Sequence, residues 1–160
     1  MPLCECCYRS PLGNILMISD GMSLTELSFA DASGMEKNAC PLPVFNDTRR
    51  WLDMYFAGQV PDFLPRLSPQ GTAFRQSVWN MLLAIPYGQT TSYGEIAAEI
   101  GRRRQTEKMS AQAVGGAVGH NPIAIIIPCH RVIGKDGSLT GYGGGLWRKE
   151  WLLQLERGVR

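Results

Sequence analysis

This 160-residue chain has only two histidines, His120 and His130, and both lie in its last third. The cysteines near its start, Cys4, Cys6, Cys7 and Cys40, therefore have no neighbouring imidazole. Their spacing fits no recognised metal finger, so thiols are expected there and no metal. No apolar run approaches the roughly 18 residues of a membrane-crossing helix, and no secretory leader is visible. No membrane association is expected. Five cysteines is an odd number, which disfavours a disulfide framework and points to a reducing, cytoplasmic setting. Charge of one sign is also scarce. The formal net charge is +2, so composition alone does not nominate a nucleic-acid partner, and any such contact must come from a local cluster. Low-complexity tracts and internal repeats are absent.

The elements that are present divide the chain in two. Cys6 to Arg9, Asn14 to Ser19 and Leu24 to Phe29 read as strands, separated by the turn signals Ser10-Pro11-Leu12-Gly13 and Asp20-Gly21. Asn46 or Asp47 is a good cap for a helix carrying Leu52, Tyr55 and Phe56, which Gly58 closes. Pro61, Pro65 and Pro69 make a stiff connector, which sets a domain boundary between 1–69 and 70–160. Beyond it Thr72 can cap a helix with Phe74, Val78, Leu82 and Ile85 at helical spacing, ended by Pro86. Ser92 and Glu95 fit a capping box for a short helix stopped by Gly101. A third helix starts near Ser110. The last two suggest a helix-turn-helix, although Arg102 to Met109 is a long connection and reads as an insertion.

Three features carry chemistry. Ile123 to Ile127 is an apolar run read as a buried strand, and Pro128-Cys129-His130-Arg131-Val132 follows it directly. A thiol becomes a nucleophile only as the thiolate, and a nearby base promotes that state. Taken alone, an inert buried cysteine beside a surface histidine is the better reading, because neighbours on a strand point to opposite faces. Arg102, Arg103 and Arg104, with Lys108, form the densest positive cluster, equally a solvated loop or a phosphate contact. The third helix is nearly bare, with Ala113, Gly115, Gly116, Ala117 and Gly119. Each glycine costs a helix roughly 1 kcal/mol against alanine. Close helix packing or entry into a groove of DNA would each account for it.

With their flanks, TAFRQSVW, IPYGQTTSYGEIA, AVGGAVGHNP, IIIPCHRVIG and TGYGGGLWRKEWLLQLE recur in an order that resembles the O6-alkylguanine-DNA alkyltransferases, the methylated-DNA–protein-cysteine methyltransferases. The resemblance runs from about Phe74 to Glu156, and is thinner over the first third. It implies that Cys129 accepts the alkyl group irreversibly, each molecule acting once. It makes His130 a general base acting through a water, Glu156 the partner that orients it, and Tyr93 the group that protonates the departing guanine. It places Tyr142, Gly143 and Gly144 in a loop over the base, Val118 and Val132 in the pocket walls, and Asn121 as the bonded turn before the active-site segment. Gln112, Ala113, Gly115 and Gly116 fall on a recognition helix in the minor groove, facing a flipped nucleotide. Arg131 takes a structural role. From periodicity, Trp147, Trp151 and Leu155 share one face of the last helix, with Glu156 beside it.

The expected architecture is α/β of the α+β kind: a small N-terminal antiparallel sheet with a helix, then a mostly helical domain with a helix-turn-helix and a short active-site strand. The expected activity is repair of O6-alkylguanine, and O4-alkylthymine, in double-stranded DNA by a cytoplasmic monomer (nucleoid-associated in a bacterium, nuclear in a eukaryote) that needs no cofactor. A non-catalytic damage-recognition protein is the alternative, and the presence of Cys129 argues against it. One departure stands out: the family usually has arginine where this chain has Gln112, so the orphaned base loses a charged partner. Gln112→Arg is predicted to raise both DNA affinity and repair rate in a binding and single-turnover assay. If both stay unchanged, the expectation that Gln112 weakens DNA affinity or slows flipping, with Arg102, Arg103 and Arg104 partly compensating, has no basis.

Overall fold

The computed structural model describes residues 3–30, 41–105 and 109–159. The fold is α+β, and the chain clusters into two units: residues 1–70 with 122–124, and residues 71–121 with 125–159. Among the described residues no helix is long and apolar enough to cross a membrane.

The first unit is an antiparallel meander of β1 (Cys4–Ser10), β2 (Gly13–Ser19) and β3 (Leu24–Phe29), covered by α1 (Pro43–Phe56). The two turns form where the sequence signals them. Ser10 Oγ accepts from the Leu12 N–H at 3.0 Å, and Gly13 supplies the φ of +107° that closes the hairpin. The Asp20 carboxylate accepts from the Met22 and Ser23 N–H groups at 2.9 and 2.8 Å. Alternating residues Ile15 and Met17 of β2 are buried, as are Phe45, Leu52 and Tyr55 of α1, which packs on β1 and β2. The helix starts one turn earlier than Asn46. Pro43 occupies its first turn, where the fixed φ of proline favours the helix and its missing N–H is not needed, and Leu42 takes the cap position.

The second unit is mostly helical: α2 (Ala73–Leu83), α3 (Tyr93–Arg104), α4 (Ala111–Gly119) and α5 (Leu146–Glu156). A short parallel pair, β4 (Thr91–Ser92) and β5 (Val132–Ile133), joins its middle. Thr72, Ser92 and Ser110 cap α2, α3 and α4 as expected, each accepting a backbone N–H of the first turn. Glu95 does not complete a capping box; its carboxylate takes the Thr91 hydroxyl at 2.6 Å. Helices α2, α3 and α4 pack on one another, and the indole of buried Trp79 donates to the Ala117 carbonyl at 2.9 Å.

Two expectations are corrected here. Gly101 does not stop α3. The helix continues to Arg104 because Arg102 and Arg103 both pair with Glu99 one turn back, and positive charge suits a helix C-terminus. The arginines therefore form a helical turn and not an inserted loop; of the expected insertion, residues 106–108 lie outside the described residues. The run Ile123 to Ile127 is likewise not a strand. Only Ile123 forms a bridge, to Leu27, after which the chain turns. Ile125 takes a φ of +67°, a strained conformation for a β-branched residue. The run is apolar because Ile123, Ile125, Ile126 and Ile127 are all buried, not because a ladder needs them.

Gly71 lies just before the α2 cap, and a Cβ there would stand 2.4 Å from the ring of buried Trp79. Trp79 is held by its bond to Ala117 and cannot swing away. Gly71→Ala is predicted to destabilise the protein by about 1–3 kcal/mol, the usual range for overpacking. Denaturant unfolding would measure this, and a midpoint equal to wild type would contradict it.

Candidate active site

Cys129 is set by a sequence of tight turns. Pro128 has φ −81° and ψ +66°, and the Cys129 N–H reaches the Ile127 carbonyl at 2.7 Å, an inverse γ-turn. A single 3-10 turn, Cys129–Arg131, follows and leads into β5. Asn121, just past α4, donates from Nδ2 to the Ile127 carbonyl at 2.8 Å, bracing the turn, and its amide also hydrogen-bonds the Cys129 sulfur. Cys129 as a residue is half-buried. Burial pushes its thiol above the ordinary value, and the Asn121 hydrogen bond and the Lys149 charge oppose that shift.

A 3-10 turn advances about a third of a revolution per residue, so the strand argument against cooperation between Cys129 and His130 does not apply. His130 and Arg131 both turn inward onto Glu156 at the end of α5. His130 Nε2 lies 2.6 Å from Glu156 Oε2. Arg131 donates from Nε to Oε1 at 2.8 Å and from Nη2 to Oε2 at 3.1 Å. The Gly88 N–H adds a fourth bond, to Oε1 at 3.1 Å. Four donors fill the acceptor capacity of a carboxylate. Burial alone would raise the Glu156 pKa, yet its partners hold it at about 2. Arg131 is the permanent charge among them, because burial lowers the His130 pKa and keeps the imidazole neutral. An ionised carboxylate only accepts, so the proton of neutral His130 sits on Nε2 and Nδ1 is left as the basic nitrogen. Arg131 also donates from Nη1 to the Ile85 carbonyl at 2.7 Å, satisfying a carboxylate and a backbone carbonyl together.

The buried residues of α5 are Lys149, Leu152, Leu153, Leu155 and Glu156, of which Lys149, Leu152, Leu153 and Glu156 recur at i, i+3, i+4 and i+7. The expected stripe of Trp147, Trp151 and Leu155 is wrong in its first member, since Trp147 is 56% exposed. Sequence reasoning missed Lys149. Its signal was available: it lies seven residues, two turns, before Glu156 on the same side as two leucines. Its side chain is fully buried and donates to the Val132, Thr140 and Gly141 carbonyls at 2.6, 2.8 and 3.4 Å. It thereby ties β5 to the start of the glycine-rich loop.

The remaining residues surround this centre. The Tyr93 hydroxyl, at the start of α3, accepts from Thr140 Oγ1 at 3.2 Å, which brings it to the same loop. The Tyr142 hydroxyl is buried, and its pKa is raised well above the tyrosine range, first by burial and then by the charge on Cys129. Gly144 is anchored through its carbonyl by Arg148 at 2.8 Å, while Gly143 is exposed. Val132 is fully buried and Val118 nearly so. On α4, Val114, Ala117 and Val118 face inward, whereas Gln112, Ala113 and Gly116 are exposed. A Cβ at Gly115 would touch the Tyr93 ring at 3.8 Å; at Gly116 or Gly119 it would meet nothing within 4 Å. Arg102, Arg103 and Arg104 are exposed, two on Glu99 and Arg104 over the Phe74 ring at 5.4 Å. In the first unit Cys6 is buried against the Arg49 guanidinium, and Cys40 lies outside the described residues.

Two sequence models match: that of the 6-O-methylguanine DNA methyltransferase DNA-binding domain over residues 73–158, and that of the same protein's ribonuclease-like domain over residues 4–69. A methylated-DNA–protein-cysteine methyltransferase of Haemophilus influenzae is 46% identical, over 94% of this chain and 84% of its own. One from Methanosarcina acetivorans is also 46% identical, over 93% of this chain and 95% of its own. A crystal structure of Mycobacterium tuberculosis OGT in complex with DNA superposes with a TM-score of 0.82 at 46% identity, covering 97% of this chain and 93% of that one.

The buried His130–Glu156 pair makes stability depend on pH with a definite sign. The pKa of His130 is lowered below its ordinary 6.5 on folding, so its contribution is present above 6.5 and is lost as pH falls. Glu156 drops from 4.5 to about 2, so its contribution is present above 4.5 and is lost between 4.5 and 2. Glu156→Gln should lose about 3–5 kcal/mol at pH 7, as for a broken buried pair. It should also flatten the dependence below pH 4.5. Urea midpoints across pH 7 to 3 measure both, and equal slopes in the two proteins would rule out this assignment.

Proposed function

Because this chain belongs to the 6-O-methylguanine DNA methyltransferase family, we propose that it repairs O6-alkylguanine in DNA by transferring the alkyl group to its own Cys129. The observation that carries the reading is the buried His130–Glu156 contact of 2.6 Å, one residue from the cysteine, which holds the imidazole proton on Nε2 and leaves Nδ1 as the basic nitrogen.

Each step has a residue. The lesion's O6 is closed off inside a duplex, so the nucleotide is rotated out at a cost of a few kcal/mol. Helix α4 lies in the minor groove: its inner face holds Val114, Ala117 and Val118 in the core, and its outer face presents Gln112, Ala113 and the glycines to the backbone. Gly115 and Gly116 let the helix approach closely, Gln112 faces the orphaned base, and Arg102, Arg103 and Arg104 meet phosphates. Val118 and Val132 back the base pocket, and Tyr142 closes over it on the hinge of Gly143 and Gly144. The Cys129 proton passes through a water to His130 Nδ1, while ionised Glu156 stabilises the imidazolium. The sulfur lone pair then forms the S–C bond, the C–O6 bond breaks, and guanine leaves with that electron pair, taking up a proton from Tyr93. Asn121 holds the turn that presents the sulfur.

The product thioether has no acidic proton and no leaving group, so each molecule acts once, without a cofactor. O4-alkylthymine offers the same leaving chemistry and is a second substrate. Residues 1–69 and 70–160 act as an N-terminal domain and a catalytic, DNA-binding domain of a monomer. The working location is the cytoplasm, at the nucleoid in a bacterium or in the nucleus in a eukaryote. Incubation with duplex DNA containing O6-methylguanine, followed by mass analysis, should show one methyl on the Cys129 peptide and none in Cys129→Ser. An unmodified wild-type peptide from protein that still binds the lesion would instead mark a damage-recognition protein.

A further inference from the structure

Lys149 is a charged group that the proposed proton transfer from Cys129 to His130 does not use. Its ammonium is fully buried on α5, and three backbone carbonyls hold it. Among the described residues no carboxylate pairs with it: Glu156, on the same face, is occupied by His130, Arg131 and Gly88. A buried cation with carbonyls but no anion is expensive to keep, and burial accordingly lowers the Lys149 pKa. The anion-forming group whose charge bears on Lys149 is Cys129. Cys129 and Lys149 act on each other, while Tyr142 responds to Cys129, Arg148 and Glu156. The Val132 carbonyl that binds Nζ at 2.6 Å lies three residues beyond Cys129, just after the 3-10 turn.

We propose that Lys149 is a positioning residue for the alkyl transfer: an ammonium locked between β5 and the glycine-rich loop, whose charge stabilises the Cys129 sulfur when it becomes an anion. The inference rests on reading Cys129 as the nucleophile. The three carbonyls fix Nζ in advance, so no reorganisation is needed when the sulfur ionises, which is the condition for a preorganised charge to be effective. As the thiol proton moves to His130, the negative charge appears on sulfur beside a positive charge already in place. When the S–C bond forms, the sulfur becomes neutral and Lys149 keeps its proton throughout. The same side chain also fixes Thr140, whose hydroxyl reaches Tyr93, so the loop and the charge are set together.

Iodoacetamide tests this without DNA. The rate of Cys129 alkylation against pH reports its thiol directly, with the other cysteines separated by peptide mapping. In Lys149→Met and Lys149→Gln the inflection should move up by about one pH unit or more, the usual size for loss of a nearby opposite charge. An unchanged inflection in a folded variant overturns the proposal. Should neither variant fold, wild type still decides. The Lys149 side-chain carbon resonance should follow the Cys129 titration and lose that inflection in Cys129→Ser, whereas a resonance blind to it overturns the proposal. A wild-type protein with the expected iodoacetamide profile but no methyl transfer from DNA would sink the repair reading and leave Lys149's role standing. Normal repair with an unshifted variant profile would do the reverse.

Discussion

The second unit depends on one buried carboxylate. Glu156 ends α5, and its four donors come from separate stretches of chain: the turn after α2 through Gly88, and the 3-10 turn through His130 and Arg131. Arg131 then reaches on to Ile85 beyond the end of α2. A buried charge is tolerable only when it is fully bonded, and a half-satisfied one is worse than an apolar core. Saturation therefore makes the arrangement nearly all-or-none. The side chain that gives His130 its tautomer also pins α5 to the segment carrying the cysteine, so the chemistry and the packing of this unit share one joint.

That joint explains why adjacent residues on the chain can work together. In an extended strand Cys129 and His130 would point apart. The inverse γ-turn at Pro128 and the single 3-10 turn replace the alternation of a strand with a tighter rotation, and Glu156 selects the rotamer of the imidazole. Burial meanwhile holds the thiol protonated at rest. A sulfur held this way ionises only when its proton has somewhere to go. On the proposed mechanism His130, kept neutral by burial, is that destination.

Much of this was legible in the sequence because it rests on local chemistry. Thr72, Ser92 and Ser110 cap helices since a hydroxyl before an apolar periodicity satisfies a first-turn N–H wherever the helix later packs. The hairpin at Ser10–Gly13 is equally local. The reading failed where packing overrode pattern. Ile123–Ile127 is apolar enough for a strand, but periodicity cannot tell a buried turn from a buried ladder. Gly101 looked like a helix stop until the Glu99 pairs carried α3 on to Arg104. Lys149 was missed for a different reason: a lysine is read as surface by default, and only its heptad relation to Glu156 places it on the inner face.

The glycines of α4 carry the last step. Two explanations were open, close packing between helices or close approach of something outside the chain. Gly115 has a neighbour, the Tyr93 ring, but at a distance where a methyl group would sit in ordinary contact. Gly116 and Gly119 have none within 4 Å. Alanine would fit at these positions and would favour the helix by roughly 1 kcal/mol each. Packing within this unit therefore does not require them, and the inner face is already supplied by Val114, Ala117 and Val118. A helix that gives up stability on its open side, next to an exposed arginine turn and one short segment from a reactive sulfur, is shaped for a surface that must come near its backbone. On the proposed repair reading, a duplex with an extruded base would be such a surface, and the bareness of α4 would follow from the event that Cys129 needs.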